Sequence, residues 1–251
     1  MTDTRVYADI DLADGAAVTL GDEAYHHLVV VLRRIRGDAL VLFNGRGGEY
    51  PAVIETVGKR KLTVRIGQFR NVDRESPLSI TLAQAVSKGE RMDYTIQKAV
   101  ELGVTAIQPL VTERVVVRLD AERWARKQEH WQGIAIAAAE QSGRTRIPRV
   151  APVMDLNDWL PTAPADAFRL ILSLSLGATP AVVRRSADQP IVLLVGPEGG
   201  WAEIERKLAD LAGFAGLALG PRVLRTETAG IVALSVLQSQ WGDMGASLTQ
   251  K

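Results

Sequence analysis

Pro77 closes the polar stretch 71–77, and the chain on its two sides follows two patterns that one layer architecture cannot satisfy. Before it, short apolar runs are separated by turn residues at close intervals. Segments 39–43, 49–54 and 62–66 read as strands. Asn44-Gly45 after the first marks a hairpin, because that dipeptide favours the left-handed backbone of a tight turn. Strands at this spacing predict a small β-barrel or sandwich. After Pro77, strand-like runs at 79–86, 104–111, 169–174, 191–195 and 216–219 alternate with helical patterns. Met92, Ile96, Ala99 and Val100 fall on one helical face closed by Gly103, and Trp124, Trp131, Ile134 and Ala138 mark a longer helix. Ile204, Leu208 and Leu211 give segment 202–211 an apolar face, and 227–240 is helical too. Parallel strands need crossovers, so this alternation predicts an α/β layer with a mostly parallel sheet. The expected division is 1–73 and 74–251.

Composition narrows the chemistry. The 251 residues include no cysteine, which excludes disulfides, thiolate nucleophiles, iron–sulfur clusters and cysteine zinc sites. His26, His27 and His130 are too scattered for a zinc site, so no metal is expected. The longest apolar runs, such as 191–195, are too short to cross a bilayer, and the N-terminus lacks a signal-peptide layout. A cytoplasmic protein without a membrane partner is expected. Thirty basic residues against 29 acidic ones give a net charge of +1. That average hides a pattern: residues 1–30 carry six acids and one base, whereas 31–70 carry nine bases and three acids. Such a stripe, with Arg33 and Arg34 at its start, suits phosphate contacts, or it is a solvated hairpin surface.

Two loops carry the site prediction. Val195-Gly196-Pro197-Glu198-Gly199-Gly200-Trp201 runs from a buried strand through a glycine turn toward a helix, which is where open α/β sheets bind ligands. Neither a P-loop lysine nor the dinucleotide spacing G-x-G-x-x-G is present, and Glu198 would repel a phosphate. The expected ligand is neutral or cationic at this point; the alternative is a structural turn. Leu219-Gly220-Pro221-Arg222-Val223-Leu224-Arg225-Thr226-Glu227-Thr228-Ala229 repeats the plan, and loops after consecutive strands are expected side by side, forming one pocket. Arg225 and Glu227 either serve that pocket or pair with each other and cap the helix. Trp124 and Trp131, seven apart, favour core or dimer packing over base stacking.

Taken together, these two loops resemble those of the RsmE family of ribosomal RNA methyltransferases, within the SPOUT superfamily. Further stretches resemble the family along nearly the whole chain: His26-His27-Leu28 through Val31-Leu32-Arg33, Phe43-Asn44-Gly45 with Gly48-Glu49-Tyr50, Lys88-Gly89-Glu90-Arg91-Met92-Asp93, residues 97–104, and Glu140-Gln141-Ser142-Gly143-Arg144. Departures occur at Arg5-Val6-Tyr7, where the family has a more aromatic segment, and at Val115, where it usually places serine after the arginine.

The resemblance implies an N-terminal PUA-like β-barrel that holds RNA, a C-terminal α/β methyltransferase domain with a trefoil knot, and a homodimer. General topology rules would not suggest a knot. It also implies S-adenosylmethionine as cofactor and 16S rRNA or the 30S subunit as partner, methylated at N3 of a uridine near the decoding site. Backbone and small groups at Leu194, Gly196, Pro197, Glu198, Gly199, Gly200, Leu219, Gly220, Val223, Leu224, Thr228 and Ala229 would hold the cofactor. Uracil N3 must lose its proton before it attacks a methyl carbon. Arg225 suits the developing anion, and Glu198 or Glu227 the proton. Arg33, Arg34, Lys88, Arg91, Gln141 and Arg144 are the candidate RNA contacts, several of which could equally form surface ion pairs. The competing functions are a related methyltransferase acting on tRNA or another rRNA site, and a non-catalytic RNA-binding assembly factor.

Overall fold

The computed structural model describes residues 4–173, 186 and 188–245. Contacts divide the chain into two units: Met1–Glu75 with Ala139–Ile147, and Ser76–Ala138 with Pro148–Lys251. No helix among the described residues is long and apolar enough to cross a membrane.

The first unit contains β1 (Arg5–Tyr7), β2 (Ala17–Leu20), α1 (Asp22–Tyr25) continuing into a π-helical turn at His26–Val31, β3 (Ala39–Phe43), β4 (Tyr50–Val57) and β5 (Leu62–Ile66). They form a five-stranded sheet in the order β1-β3-β4-β5-β2, antiparallel except for the β1–β3 edge pair. In β5, Leu62, Val64 and Ile66 point into the core while Thr63 and Arg65 point outward, the period-2 pattern of a sheet with one wet face. Leu28 from the π-helical turn is fully buried in the same core, worth roughly 2 kcal/mol of transfer free energy. The β3–β4 connection is not a two-residue hairpin. Register pairs Leu42 with Tyr50, leaving 44–49 as a loop in which Gly45, Gly47 and Gly48 all take positive φ. β1, β2 and the helical turn went unread in the sequence because three- and four-residue elements give no usable periodicity.

Buried charge ties this unit together. Arg5 pairs with Glu49, which is also reached by Arg74 at 3.2 Å. Burial pushes the Glu49 carboxyl up, but hydrogen bonds and charge from Arg5 and Arg74 outweigh it and hold the group below its ordinary value. Glu75 accepts from Arg144 Nε at 2.9 Å and from its terminal nitrogen at 2.6 Å, and also from the backbone N–H groups of Thr145 and Arg146.

The second unit contains β6 (Ile80–Ala85), α2 (Glu90–Glu101), β7 (Ala106–Val111), α3 (Ala121–Ser142, whose end belongs to the first unit), β8 (Arg149–Val150), β9 (Met154–Asp155), α4 (Leu156–Trp159) with a 3-10 turn at Leu160–Thr162, β10 (Phe168–Leu172), β11 (Ile191–Val195), α5 (Glu203–Leu211), β12 (Ala215–Leu217) and α6 (Thr226–Trp241). Every pairing is parallel, in the order β12-β10-β11-β6-β7-β8, with β9 also on β7. All five residues of β11 are buried, as a central parallel strand covered on both faces requires. Leu174, which the sequence pattern included in a strand, lies outside the described residues. α2 buries Met92, Ile96, Ala99 and Val100, and Gly103 follows at φ +81°. Trp131 is buried, its indole N–H donating to Asp93 at 3.0 Å, and stacks near Trp124 in the packing role the spacing suggested.

Helix α5 keeps only part of its apolar pattern, with Leu208 packed against the core. Ile204 is 56% and Leu211 86% exposed, while Glu205 and Ala209 face inward. The cause is Glu205: its carboxylate accepts from the Ala202 N–H at 2.9 Å and the Glu113 N–H at 2.7 Å. Satisfying the buried Ala202 N–H and the part-buried Glu113 N–H fixes the helix rotation more strongly than exposing two aliphatic side chains opposes it.

Candidate functional site

β11 delivers the first glycine loop at its carboxyl end. Gly200 N–H closes a turn on the Pro197 carbonyl at 2.9 Å, and Gly200 itself sits at φ +69°. Trp201 lies against Gly196, where a Cβ would come 2.9 Å from its ring, and its indole N–H donates to the Leu172 carbonyl at 3.1 Å. Arg114 donates to the Gly199 carbonyl at 2.9 Å. Glu198 accepts from Arg91 at 3.1 Å and from the Lys88 N–H at 3.4 Å. The loop is therefore held by α2, by the β6–α2 connection and by the segment after β7 as well as by its own strand.

The second loop leaves β12, turns at Gly220 (φ +93°) and ends at Arg225, the residue that precedes the first turn of α6. The strands that supply the loops are not neighbours, since β10 lies between β11 and β12. The loops nonetheless converge, because Thr226 Oγ1 donates to the Gly196 carbonyl at 2.6 Å, and they enclose a cavity of roughly 840 Å³. Its wall is glycine backbone and small or aliphatic side chains, including Leu172, Val195, Leu217, Leu219, Leu224 and Ala229. Among the described residues its charged lining is five arginines, at 91, 114, 206, 222 and 225, against one carboxylate, Glu198. Arg222 and Arg225 are exposed with no side-chain partner among the described residues.

Of the residues singled out in the sequence, Gly196, Pro197, Glu198, Gly199, Gly200, Leu219, Gly220, Val223, Leu224, Arg225 and Ala229 line this cavity, and so does Arg91. Leu194 is not on the cavity wall; its side chain packs in the core with Ala83 and Val192. Thr228 is exposed and outside the wall. Glu227 is also outside it, half-buried, with Oε2 buried and unpaired; Arg225 and Glu227 do not pair. Arg144 is no surface contact: it is 4% exposed and committed to Glu75. Arg34 is half-buried and donates to Thr4 Oγ1 at 2.5 Å, whereas Arg33, Lys88 and Gln141 are exposed. Arg114, Trp201 and Arg206 also line the cavity and are not among the site residues the sequence singles out, although Trp201 ends the first glycine-loop motif and Arg114 lies within residues 112–115. Gln84 is off the wall but donates to Thr226, which is on it; its signal is an amide in a central strand.

The basic stripe is partly neutralised on folding. Arg60 forms a two-bond pair with Asp22, Arg46 reaches Asp11 at 2.5 Å, and Arg65 takes Glu55, the extra residue of a β-bulge in β4. Arg33, Arg36, Lys59, Lys61 and Arg70 stay exposed without a side-chain partner among the described residues.

Known proteins share both units. A family described as an RNA methyltransferase domain matches residues 74–238, and one described as an RNA methyltransferase PUA domain matches residues 20–67. Ribosomal RNA small subunit methyltransferase E of Bacillus subtilis is 33% identical over 238 residues, covering 91% of this chain and 92% of that protein. The protein of that name from Mycobacterium bovis is 37% identical over 239 residues, covering 92% and 90%. The crystal structure of ribosomal RNA small subunit methyltransferase E from Neisseria gonorrhoeae, bound to S-adenosyl methionine, superposes with a TM-score of 0.90 at 41% identity, covering 96% of this chain and 99% of that one.

Proposed function

This chain belongs to the RsmE family of RNA methyltransferases, and we propose that it transfers a methyl group from S-adenosylmethionine to N3 of a uridine in 16S ribosomal RNA. The observation that carries this reading is the cavity itself: two glycine loops, an aliphatic wall, one carboxylate and a rim of arginines. The donor set fits the cofactor. An adenosine needs close backbone approach, which Gly200 and Gly220 allow with open space where a Cβ would stand. A sulfonium needs no lysine and tolerates Glu198. When bound, the cofactor supplies an electrophilic methyl carbon.

The chain's own groups do the rest. Methylation would break the N3–H bond and the sulfonium S–CH3 bond and form N3–CH3, with the bonding pair left on the sulfur and the N3 proton left for a base. Arg225, exposed at the cavity rim with no side-chain partner among the described residues, stabilises the negative charge that develops on the uracil oxygens. Glu198, the carboxylate on the wall, takes the N3 proton through Oε2, because Oε1 is held by Arg91 and Lys88. The target base is splayed out of its stack to enter. Residues 1–73 hold RNA through the unpaired bases Arg33, Arg36, Lys59 and Lys61, with Lys88 and Gln141 as further contacts. A homodimer is supported by α6, whose aliphatic Ile231, Val232 and Val236 are only half-covered within one chain. The protein works in the cytoplasm on 16S rRNA or the 30S subunit.

Calorimetry with S-adenosylmethionine and nucleoside analysis of 16S rRNA test the reading. Binding is expected, and a gene-deletion strain should lack N3-methyluridine until the gene is restored. Absence of cofactor binding, or N3-methyluridine retained in the deletion strain, overturns it.

A further inference from the structure

Gln84 stands in β6, a central strand, with no solvent exposure. A buried amide is costly unless its atoms are paired. Nε2 is paired twice, donating to the Ala85 carbonyl and to Thr226 Oγ1, each at 3.0 Å, while Oε1 is buried without a partner. The helix accommodates it at Gly230, where a Cβ would meet Oε1 at 3.3 Å. A hydroxyl has one proton to give. With Gln84 donating to it, Thr226 turns that proton to the Gly196 carbonyl at 2.6 Å. The relay therefore runs one way, from Gln84 through Thr226 to Gly196. Among the described residues it is the one side-chain hydrogen bond joining the second loop's end to the first loop.

We propose that Gln84 and Thr226 are positioning residues for methyl transfer, acting through their neighbours Gly196 and Arg225. Gly196 opens the cofactor loop, and Arg225 directly precedes Thr226, so the relay sets the arginine against the cofactor. Transfer demands a near-attack alignment, and small displacements cost far more in rate than in ground-state binding. The bare Oε1 supports the assignment, because a buried amide satisfied on one side only is not what stability alone would favour. The proposal rests on the methyltransferase reading of the cavity.

Three variants of the full chain test it: Thr226→Val, Thr226→Ser and Gln84→Met. The measurements are cofactor affinity by calorimetry, single-turnover methyl transfer to 16S rRNA, and melting temperature. Thr226→Val keeps the side-chain shape and removes both bonds; its single-turnover rate should fall about tenfold or more, with cofactor Kd changed less than about threefold. Thr226→Ser restores the hydroxyl and should return to within about threefold of wild type. Gln84→Met removes the unpaired oxygen, so its melting temperature should match or exceed wild type while its rate falls several-fold, a split that a merely structural role would not produce. Unchanged rates in Thr226→Val and Gln84→Met overturn the proposal, as does a rate loss that only follows melting temperature and Kd. If Thr226→Val does not fold, the other two variants decide by the same criteria. A wild-type protein that binds cofactor yet transfers no methyl group to 16S rRNA overturns the reaction, and this role with it.

Discussion

Arg144 and Arg225 are each followed by threonine at a helix boundary, and the two arginines meet opposite fates. Arg144 follows the end of α3, where a cation suits the helix dipole, and its guanidinium is buried on Glu75. Arg225 stands at the start of α6, where the dipole opposes a cation, and it is exposed with no side-chain partner among the described residues. The first arrangement is what stability selects. The second forgoes both a favourable dipole and a carboxylate, and leaves a full positive charge at a cavity rim, where an anion developing on a substrate can use it.

The comparison is broken most directly by removing each arginine in turn. Arg144→Ala leaves Glu75 buried and uncompensated, which should cost about 3–5 kcal/mol in urea unfolding. Arg144→Lys should recover little of it, since an ammonium cannot reproduce the two-bond contact. The folded fraction of Arg144→Ala should still bind cofactor like wild type. Arg225→Ala should do the reverse, lowering single-turnover methylation by about 10²–10³-fold with melting temperature and cofactor Kd nearly unchanged. Equal effects of both variants on stability and rate would erase the distinction.

Local patterns made much of this legible. The bounds of β3, β5 and β11 are those of the sequence runs at 39–43, 62–66 and 191–195, because continuous or alternating apolar residues between turn signals leave little choice. The glycine loops were visible for the same reason. What stayed hidden depended on partners distant in sequence. Arg144 looked like a surface residue because Glu75 lies 69 positions away. The face of α5 was misread in part because Glu205, a residue that ordinarily points to water, is claimed by two backbone N–H groups. The interposition of β10 between β11 and β12 is a matter of strand order, which periodicity does not encode.

The contrast sharpens within the cavity when Glu198 is separated from its anchor. Glu198→Gln keeps the side-chain shape but removes the proton acceptor, and should lower the single-turnover rate by about 10²-fold. Arg91→Ala removes only an ion pair that is partly exposed at both ends, so its loss should be about fivefold or less. Similar losses in the two variants would make Glu198 a loop anchor, leaving the proton to solvent.

The smallest effect separates two carboxylates inside the first unit. Burial raises the Glu140 carboxyl above its ordinary 4.5, against the lowering effect of the Tyr7 N–H, which donates to it at 2.8 Å, and of His27 and Arg5. Glu49 is held below 4.5. Their contributions to stability therefore have opposite signs. That of Glu49 is present above 4.5 and lost as pH falls through its lowered value; that of Glu140 is present below 4.5 and lost as pH rises through its raised value. Glu140→Gln should flatten the decline in urea midpoint on the neutral side of 4.5 and leave the acid side alone. An acid limb that flattens instead would assign the titration to the wrong carboxylate. Because both groups lie in the first unit, cofactor affinity should not follow either limb.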